Sequence, residues 1–311
     1  MTNQTSAPAA TEFRIDPATL PGHVHLTVAN LDSELAFYQK VIGLQVHWRK
    51  DGVAGGSASA GLGVGGADLL RLTEVPGAKR YRGTTGIYHF AILLPDRHEL
   101  ARAIGRLFAV RWPNSPTDHI ITKTTYLDDP EGNTIELYTE SPEDGVSGFE
   151  AGQGFTRRAD GTESSGREPL DLDELFSHLT PDDKLDQPMP PSTRIGHFHL
   201  YMANLQQAMD FYHGLLGFDD MGYSREFRMG MVSAGRYHHH VGLNTWMGEG
   251  APPAPAGALG LRHIQFVLPS AAELERVLAR VTAAGQPVEQ TELGPLVRDP
   301  SHNAVVLTAR T

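Results

Sequence analysis

An internal repeat restricts the fold of this chain more than any other feature. The segment "GHVHLTVANLDSELAFYQKVIGL" from Gly22 returns as "GHFHLYMANLQQAMDFYHGLLGF" from Gly196. His23 maps to His197, Phe37 and Tyr38 to Phe211 and Tyr212, Gly43 to Gly217, His89 to His263, and Leu94-Pro95 to Leu268-Pro269, all at one offset of 174. Past a four-residue deletion, "DPEGNTIELY" from Asp129 aligns with "DPSHNAVVLT" from Asp299 at offset 170. A chain built this way carries two copies of one architecture.

Each half divides again. "HVHLTV" alternates with the period of a strand, and "LDSELAFYQKVI" then places Leu35, Tyr38 and Ile42 at helical spacing before Gly43 stops the helix. "GADLLRLTEV" closes that unit as a strand. "GIYHFAILLP" opens the next, "DRHELARAIGRLFAV" reads as a helix, and "TTYLDDPEGNTIELYTE" reads as a hairpin turned by Pro130, Gly132 and Asn133. The chain therefore reads as four βαβββ-like units of an α+β fold. The expected layout is a flexible tail over 1–19, a first two-unit domain over 20–140, a linker with one short helix at "LDLDELFSHL" over 141–192, and a second two-unit domain over 193–311. The glycine-rich "GVAGGSASAGLGVGGA" lacks the Lys-Ser/Thr and helix start of a phosphate loop and reads as a flexible loop.

Composition narrows the partners. A length of 311 residues with 40% apolar content suffices for a full core. A net charge of -11 with no Lys/Arg stripe argues against nucleic acid. The absence of cysteine excludes disulfides, thiolate metal sites and thiol nucleophiles. No basic-then-apolar leader and no run of roughly 18 apolar residues appear, so no membrane partner and a cytoplasmic location are expected. A homo-oligomer remains compatible with the sequence.

The repeated "GHxHL…ANL…FY…LGF" openings, the "YHFAILLP" strand and "YLDDPEGNTIELY" resemble the vicinal-oxygen-chelate superfamily. More narrowly they resemble two-domain extradiol ring-cleaving dioxygenases of the catechol 2,3-dioxygenase kind. The resemblance covers roughly residues 20–140 and 193–310. It implies βαβββ units paired into two open, cup-shaped barrels, one of which holds Fe(II), or Mn(II), through two His and one Glu. It also implies an aromatic diol substrate, O2 as co-substrate and a 2-hydroxymuconic semialdehyde-type product.

Ligand chemistry points to the same residues. Two histidines and one carboxylate on one face leave adjacent positions open for a substrate and dioxygen. Candidate ligands recur at the first His of each "GHxHL", at His89 and at Glu136, but Val306 stands where Glu136 should recur. Only one complete site can form, and it needs His89 and Glu136. The third ligand is His23 if units one and two pair, or His197 if units two and three pair. His197 is favoured because the resembled enzymes place an acid-base histidine on the last strand of the unit that donates the first His. Unit three has "YHHHVGL" there and unit one has none. In a strand, His238 and His240 would share one face and His239 the other; the resemblance favours His239 as the acid-base group, with His240 next. It also assigns substrate-oxygen contacts to Tyr126 and a supporting role to His119, while Asn133 serves the turn.

Two other readings stay open. One is a glyoxalase-like metal-dependent lyase or isomerase, for which Glu74 is the obvious second carboxylate; the other is a non-enzymatic small-molecule-binding protein. His25 and His199 read as packing or supporting histidines, His23 and His263 as remnants in a cup without a carboxylate, and Trp246 and Tyr237 as either core or a wall for a flat ring.

Overall fold

A computed structural model of the chain describes residues 13–52, 56–150 and 153–310. Unit one contains β1 (Leu20–Val28), α1 (Leu31–Phe37), β2 (Gln45–Lys50), β3 (Ser59–Gly63) and β4 (Asp68–Glu74). Unit two contains β5 (Gly86–Leu93), α2 (Arg97–Ala109), β6 (Ser115–Asp118), β7 (Thr122–Asp128) and β8 (Thr134–Glu140). The intervening segment forms β9 (Gly145–Glu150), β10 (Gln153–Arg158), β11 (Glu168–Pro169) and α3 (Leu172–Phe176). Unit three follows with β12 (Arg194–Tyr201), α4 (Leu205–Met209), β13 (Asp219–Ser224), β14 (Met229–Ser233) and β15 (Val241–Asn244). Unit four ends the chain with β16 (Gly260–Leu268), α5 (Ala271–Ala283), β17 (Glu289–Thr291), β18 (Gly294–Arg298) and β19 (Ala304–Ala309).

The units pair across the sequence halves. One sheet runs β17-β18-β19-β16-β1-β4-β3-β2 and joins units four and one. The other runs β11-β6-β7-β8-β5-β12-β15-β14-β13 and joins units two and three. The joins match: β5 meets β12 antiparallel with His89 opposite His199, and β1 meets β16 antiparallel with His25 opposite His263. Thus each sequence half gives one unit to each open, cup-shaped sheet, in an α+β fold.

Strand alternation sorts the two faces. Val24, Leu26 and Val28 of β1, Phe90 and Ile92 of β5, and Phe198 and Leu200 of β12 are fully buried in the shared apolar core with residues of the helices. The intervening positions carry His23, His89, His197 and Glu136 onto the concave faces. Helix α1 begins at Asn30, whose side chain accepts from Ser33 N–H, and continues into a widened turn over Tyr38–Ile42. Gly43 ends it at φ 95°, as expected from the sequence.

Three segments depart from expectation. Residues 13–19, placed in the tail by sequence, dock instead: Ile15 is buried, its N–H donates to the Gly217 carbonyl at 2.8 Å, and Arg276 and Arg280 lie over the Phe13 ring. Residues 1–12 lie outside the described residues. The glycine-rich stretch is not all loop, because β3 runs through it and Ala60, Leu62 and Val64 join the buried apolar core, although residues 53–55 lie outside the description. Its glycines make room for neighbours: a Cβ on Gly61 would lie 2.2 Å from Trp48 Nε1, and one on Gly63 would lie 2.5 Å from His47 Cε1. The linker forms the expected short helix α3, tied to α2 by Arg97 and Glu174 at 3.1 Å, and adds structure the sequence did not announce. Its β9–β10 hairpin packs Phe149 against Gly222 in β13 at one sheet edge, while β11 pairs with β6 at the other.

Candidate metal centre

Three adjacent strands, β12, β5 and β8, bring His197, His89 and Glu136 together on the concave face of the nine-stranded sheet. His89 Nε2 lies 3.2 Å from His197 Nε2, Glu136 Oε2 lies 3.2 Å from His89 Nε2, and Glu136 Oε2 lies 3.0 Å from His197 Nε2. All three side chains are buried. Burial works to raise the Glu136 carboxyl, but the His197 and His89 imidazoles outweigh it and hold the group well below the usual carboxylate range. Burial also lowers His89, so its ring favours the neutral form that can donate a lone pair.

The donor set fits a divalent ion. Ligand atoms held about 2.1 Å from a metal at right angles stand about 3.0 Å apart, whereas a tetrahedral arrangement spreads them to about 3.4 Å. The observed triangle, with sides of 3.0, 3.2 and 3.2 Å, falls within that span, so the three atoms are already spaced to share one ion. Among the described residues one other group could hold an ion, His197 with His238 and His239, and it shares His197 with the triangle.

Local sequence explains the meeting. Ala91 pairs with His197 on one side and with Glu136 on the other, so the two ligands reach across a methyl group. A strand irregularity between Ile195 and His197 brackets Gly196, where a Cβ would lie 1.8 Å from Tyr138 Oη. The second cup repeats the frame without the chemistry. His23 Nε2 lies 2.8 Å from His263 Nε2, Val306 is fully buried where a carboxylate would stand, and Gln265 takes the place of Ala91. The Ala91-to-Gln265 difference was visible in the repeat and went unread there. Burial, followed by the neighbouring His263, lowers His23 to about 3.

The histidine run is not part of a strand. Gly235 and Arg236 both have positive φ, at 66° and 58°, and the chain enters β15 only at Val241. The expected alternation is therefore lost, and His238 and His239 both face His197, with ring centroids at 6.0 and 4.2 Å. His240 turns back. Its Nδ1 accepts from the Ala234 N–H at 3.0 Å and its ring stacks on Tyr237, so the strand argument that made it a candidate does not hold.

Tyr126 lies beside His89, with centroids 5.7 Å apart, and its hydroxyl is 2.9 Å from His119 Nε2. His119 Nδ1 contacts the Gly166 carbonyl, which can only accept. With its Nδ1 proton directed at that carbonyl, a singly protonated ring leaves Nε2 to accept from the Tyr126 O–H, and the Tyr126 hydroxyl lies beside the Glu136 carboxylate as well. Sequence reasoning missed Gly166, because nothing in the linker marks it as a neighbour of β6. Tyr88 was missed as well. A register shift beside His89 turns Tyr88 onto the same face, 4.9 Å from the His89 ring, 5.2 Å from His199 and 5.1 Å from Trp246. Trp246 is thus a wall aromatic. Tyr237 shares a 2.7 Å hydroxyl contact with Tyr138 and also donates to Glu140. Asn133 serves its turn, with Nδ2 2.7 Å from Asp129 Oδ2. Glu74 sits on the other sheet and accepts the Leu31 N–H at 2.9 Å.

Comparison with known proteins agrees with the architecture. The sequence model of the Glyoxalase/Bleomycin resistance protein/Dioxygenase superfamily matches residues 20–137 and 194–307. The chain belongs to that superfamily. Within the superfamily it is 38% identical over 287 residues to Catechol-2,3-dioxygenase of Bacillus subtilis (strain 168), covering 92% of this chain and 95% of that protein. It is 31% identical over 130 residues to Lactoylglutathione lyase of Neisseria meningitidis serogroup A, covering 40% of this chain and 94% of that one. Among solved structures, a Bacillus subtilis protein aligns with TM-score 0.62 at 14% identity over 93% of this chain and 84% of its own. Glyoxalase I from Zea mays aligns with TM-score 0.55 at 15% identity over 94% and 92%. These two likenesses concern the fold alone. No helix among the described residues is long and apolar enough to cross a membrane.

Proposed function

We propose that the protein is an extradiol ring-cleaving dioxygenase that opens catechol or a substituted catechol with O2 to a 2-hydroxymuconic semialdehyde-type product. His89, Glu136 and His197 would hold Fe(II), a set that suits Mn(II) equally. One observation carries the reading: two imidazole nitrogens and one carboxylate oxygen form a buried triangle with 3.0–3.2 Å sides, and no second carboxylate joins it among the described residues. A glyoxalase-like lyase wants that second carboxylate, and Glu74 is committed to the start of α1 on the other sheet. The catechol-2,3-dioxygenase relative supports the same choice.

The bound ion would supply two adjacent open positions and lower the pKa of the diol oxygens it receives. The chain supplies the rest. Tyr126, oriented by His119 and the Gly166 carbonyl, offers its oxygen to a substrate hydroxyl beside His89. His239 faces His197 with a buried, unpartnered Nδ1, and its neutral ring can take the substrate proton and later return it. Once charged, it stabilises negative charge developing on oxygen. Tyr88 and Trp246 form the aromatic wall.

The test is to purify the protein without air, load Fe(II), add catechol and oxygen, and watch for a yellow ring-opened product. His239→Ala should lower kcat by about 10²–10⁴ while metal content stays at the parent level. A folded, stoichiometrically loaded protein that leaves several substituted catechols colourless refutes the proposal in favour of the lyase.

A further inference from the structure

The two sheets meet along a cleft of about 780 Å3 that the steps above do not use. Ligand cavities span roughly 300–1,000 Å3, so this one suits a small molecule. Its charge is one-sided. Arg80, Arg82, Arg262 and Arg298 line it, and none of its lining residues is acidic, in a chain whose acids outnumber Lys and Arg by 37 to 26.

The arginines are largely unneutralised. Arg298 pairs with Glu289 at 3.0 Å, while no carboxylate ion-pairs with Arg80, Arg82 or Arg262 among the described residues. Arg80 donates to the Glu131 carbonyl and to Asn133 Oδ1, both uncharged, and Arg262 reaches Thr27 Oγ1 at 3.5 Å. Three such guanidiniums around one cavity raise the local concentration of anions, and their planar forks match a carboxylate. The remaining lining mixes hydroxyl, amide and imidazole groups with the flat or apolar faces of Tyr88, Tyr201, Met247 and Pro253. Tyr88 joins the cleft to the candidate metal centre, since its ring also lies 4.9 Å from that of His89.

We propose that the cleft between the two cups binds a small conjugated carboxylate. The anion site stands on its lining alone; naming its source rests on the ring-opening reading, which offers a carboxyl-bearing catechol as substrate and a ring-opened acid as product. Arginine selects the carboxylate end, and the tyrosines take the flat body.

The experiment is calorimetric titration of the metal-loaded protein under nitrogen with cis,cis-muconate, 3,4-dihydroxybenzoate and the neutral dimethyl ester of muconate. At least one carboxylate should bind, weaken with added salt, and lose about fivefold in affinity in Arg82→Gln and again in Arg262→Gln, while the ester fails to bind. Both arginines are exposed, so the variants should fold. The carboxylate with the tighter arginine-dependent affinity identifies the source. Repeating the titration in Glu136→Ala separates this cleft from the metal centre. Affinity unchanged in both arginine variants, ester binding equal to that of the acid, or binding lost only in Glu136→Ala overturns the proposal. Arginine-dependent binding without catechol turnover refutes the ring-opening reading alone.

Discussion

Replacing His197 and His23 by alanine, one at a time, tests which cup holds metal. The two residues are alike in setting: each is 3% exposed, each follows the glycine of a "GHxHL" motif, and each has one imidazole nitrogen at hydrogen-bond distance, at 3.2 Å for His197 and 2.8 Å for His23, although His197 also faces the His238 and His239 rings. Without metal, His23→Ala should lose about 1–3 kcal/mol and His197→Ala more, because it also takes one imidazole partner from the buried Glu136 carboxylate. Metal should separate them, because only His197 also meets a carboxylate, at 3.0 Å. Losing a residue that merely supports a metal ligand weakens binding 10–100-fold, so losing the ligand should weaken it by at least about 100-fold. At a metal concentration 100 times the parent Kd, linkage stabilises the parent and His23→Ala by about 2.7 kcal/mol, and His197→Ala by no more than about 0.4 kcal/mol. Thermal unfolding with and without Mn(II), an air-stable probe, should therefore show a shift of about 5 °C in the first two proteins and under about 1 °C in the third. Metal content after desalting provides the independent count. Retention of metal by His197→Ala together with its loss from His23→Ala would refute the reasoning.

Three further outcomes follow from the same geometry. Ala91→Gln copies Gln265 of the second cup into the first and should abolish metal binding while the protein still unfolds cooperatively; bound metal in that variant would remove Ala91 from the account. Gly196→Ala drives a Cβ to 1.8 Å from Tyr138 Oη and should cost about 3 kcal/mol, against about 1 kcal/mol for Gly22→Ala, whose Cβ meets the flexible end of Gln265 at 2.3 Å; denaturant midpoints compare them. Glu34 is fully buried, neither oxygen has a hydrogen bond of good geometry, and burial, then Asp129 and Glu131, push it up to about 9. The folded chain thus keeps a proton that the unfolded chain releases near pH 4, so this stability is complete below that pH and is lost as pH rises toward 9. Glu34→Ala, which copies Ala208 of the repeat, should gain on the parent by up to about 4 kcal/mol between pH 5 and pH 8, roughly 1.4 kcal/mol per pH unit, and equal pH profiles would count against the buried carboxyl.

Much of the site was legible because metal chemistry tolerates few residue types. Glu136 without a counterpart at Val306 limited the chain to one triad, and His89 stood in the same unit. The motif placed a histidine of the run beside the candidate centre, as His239 is, but the strand argument failed, since positive φ at Gly235 and Arg236 takes the run out of the strand and brings His238 alongside it. Gly166, Tyr88 and the docked segment at residues 13–19 gave no usable signal, because each owes its place to a neighbour more than 40 residues away or to a register shift between strands.

By itself the sequence determined four like units, their strand and helix periods, and room for one set of two imidazoles and one carboxylate, with His89 and Glu136 fixed and the third member open between His23 and His197. The tertiary structure decided that β5 pairs with β12 and not with β1, and so that His197 and not His23 faces Glu136. The physical reason is that β1 and β12 carry the same motif and alternate in the same way, so local preferences favour neither. The choice rests on how whole units bury their apolar faces together, and the inter-sheet cleft with its unneutralised arginines is a product of that same packing.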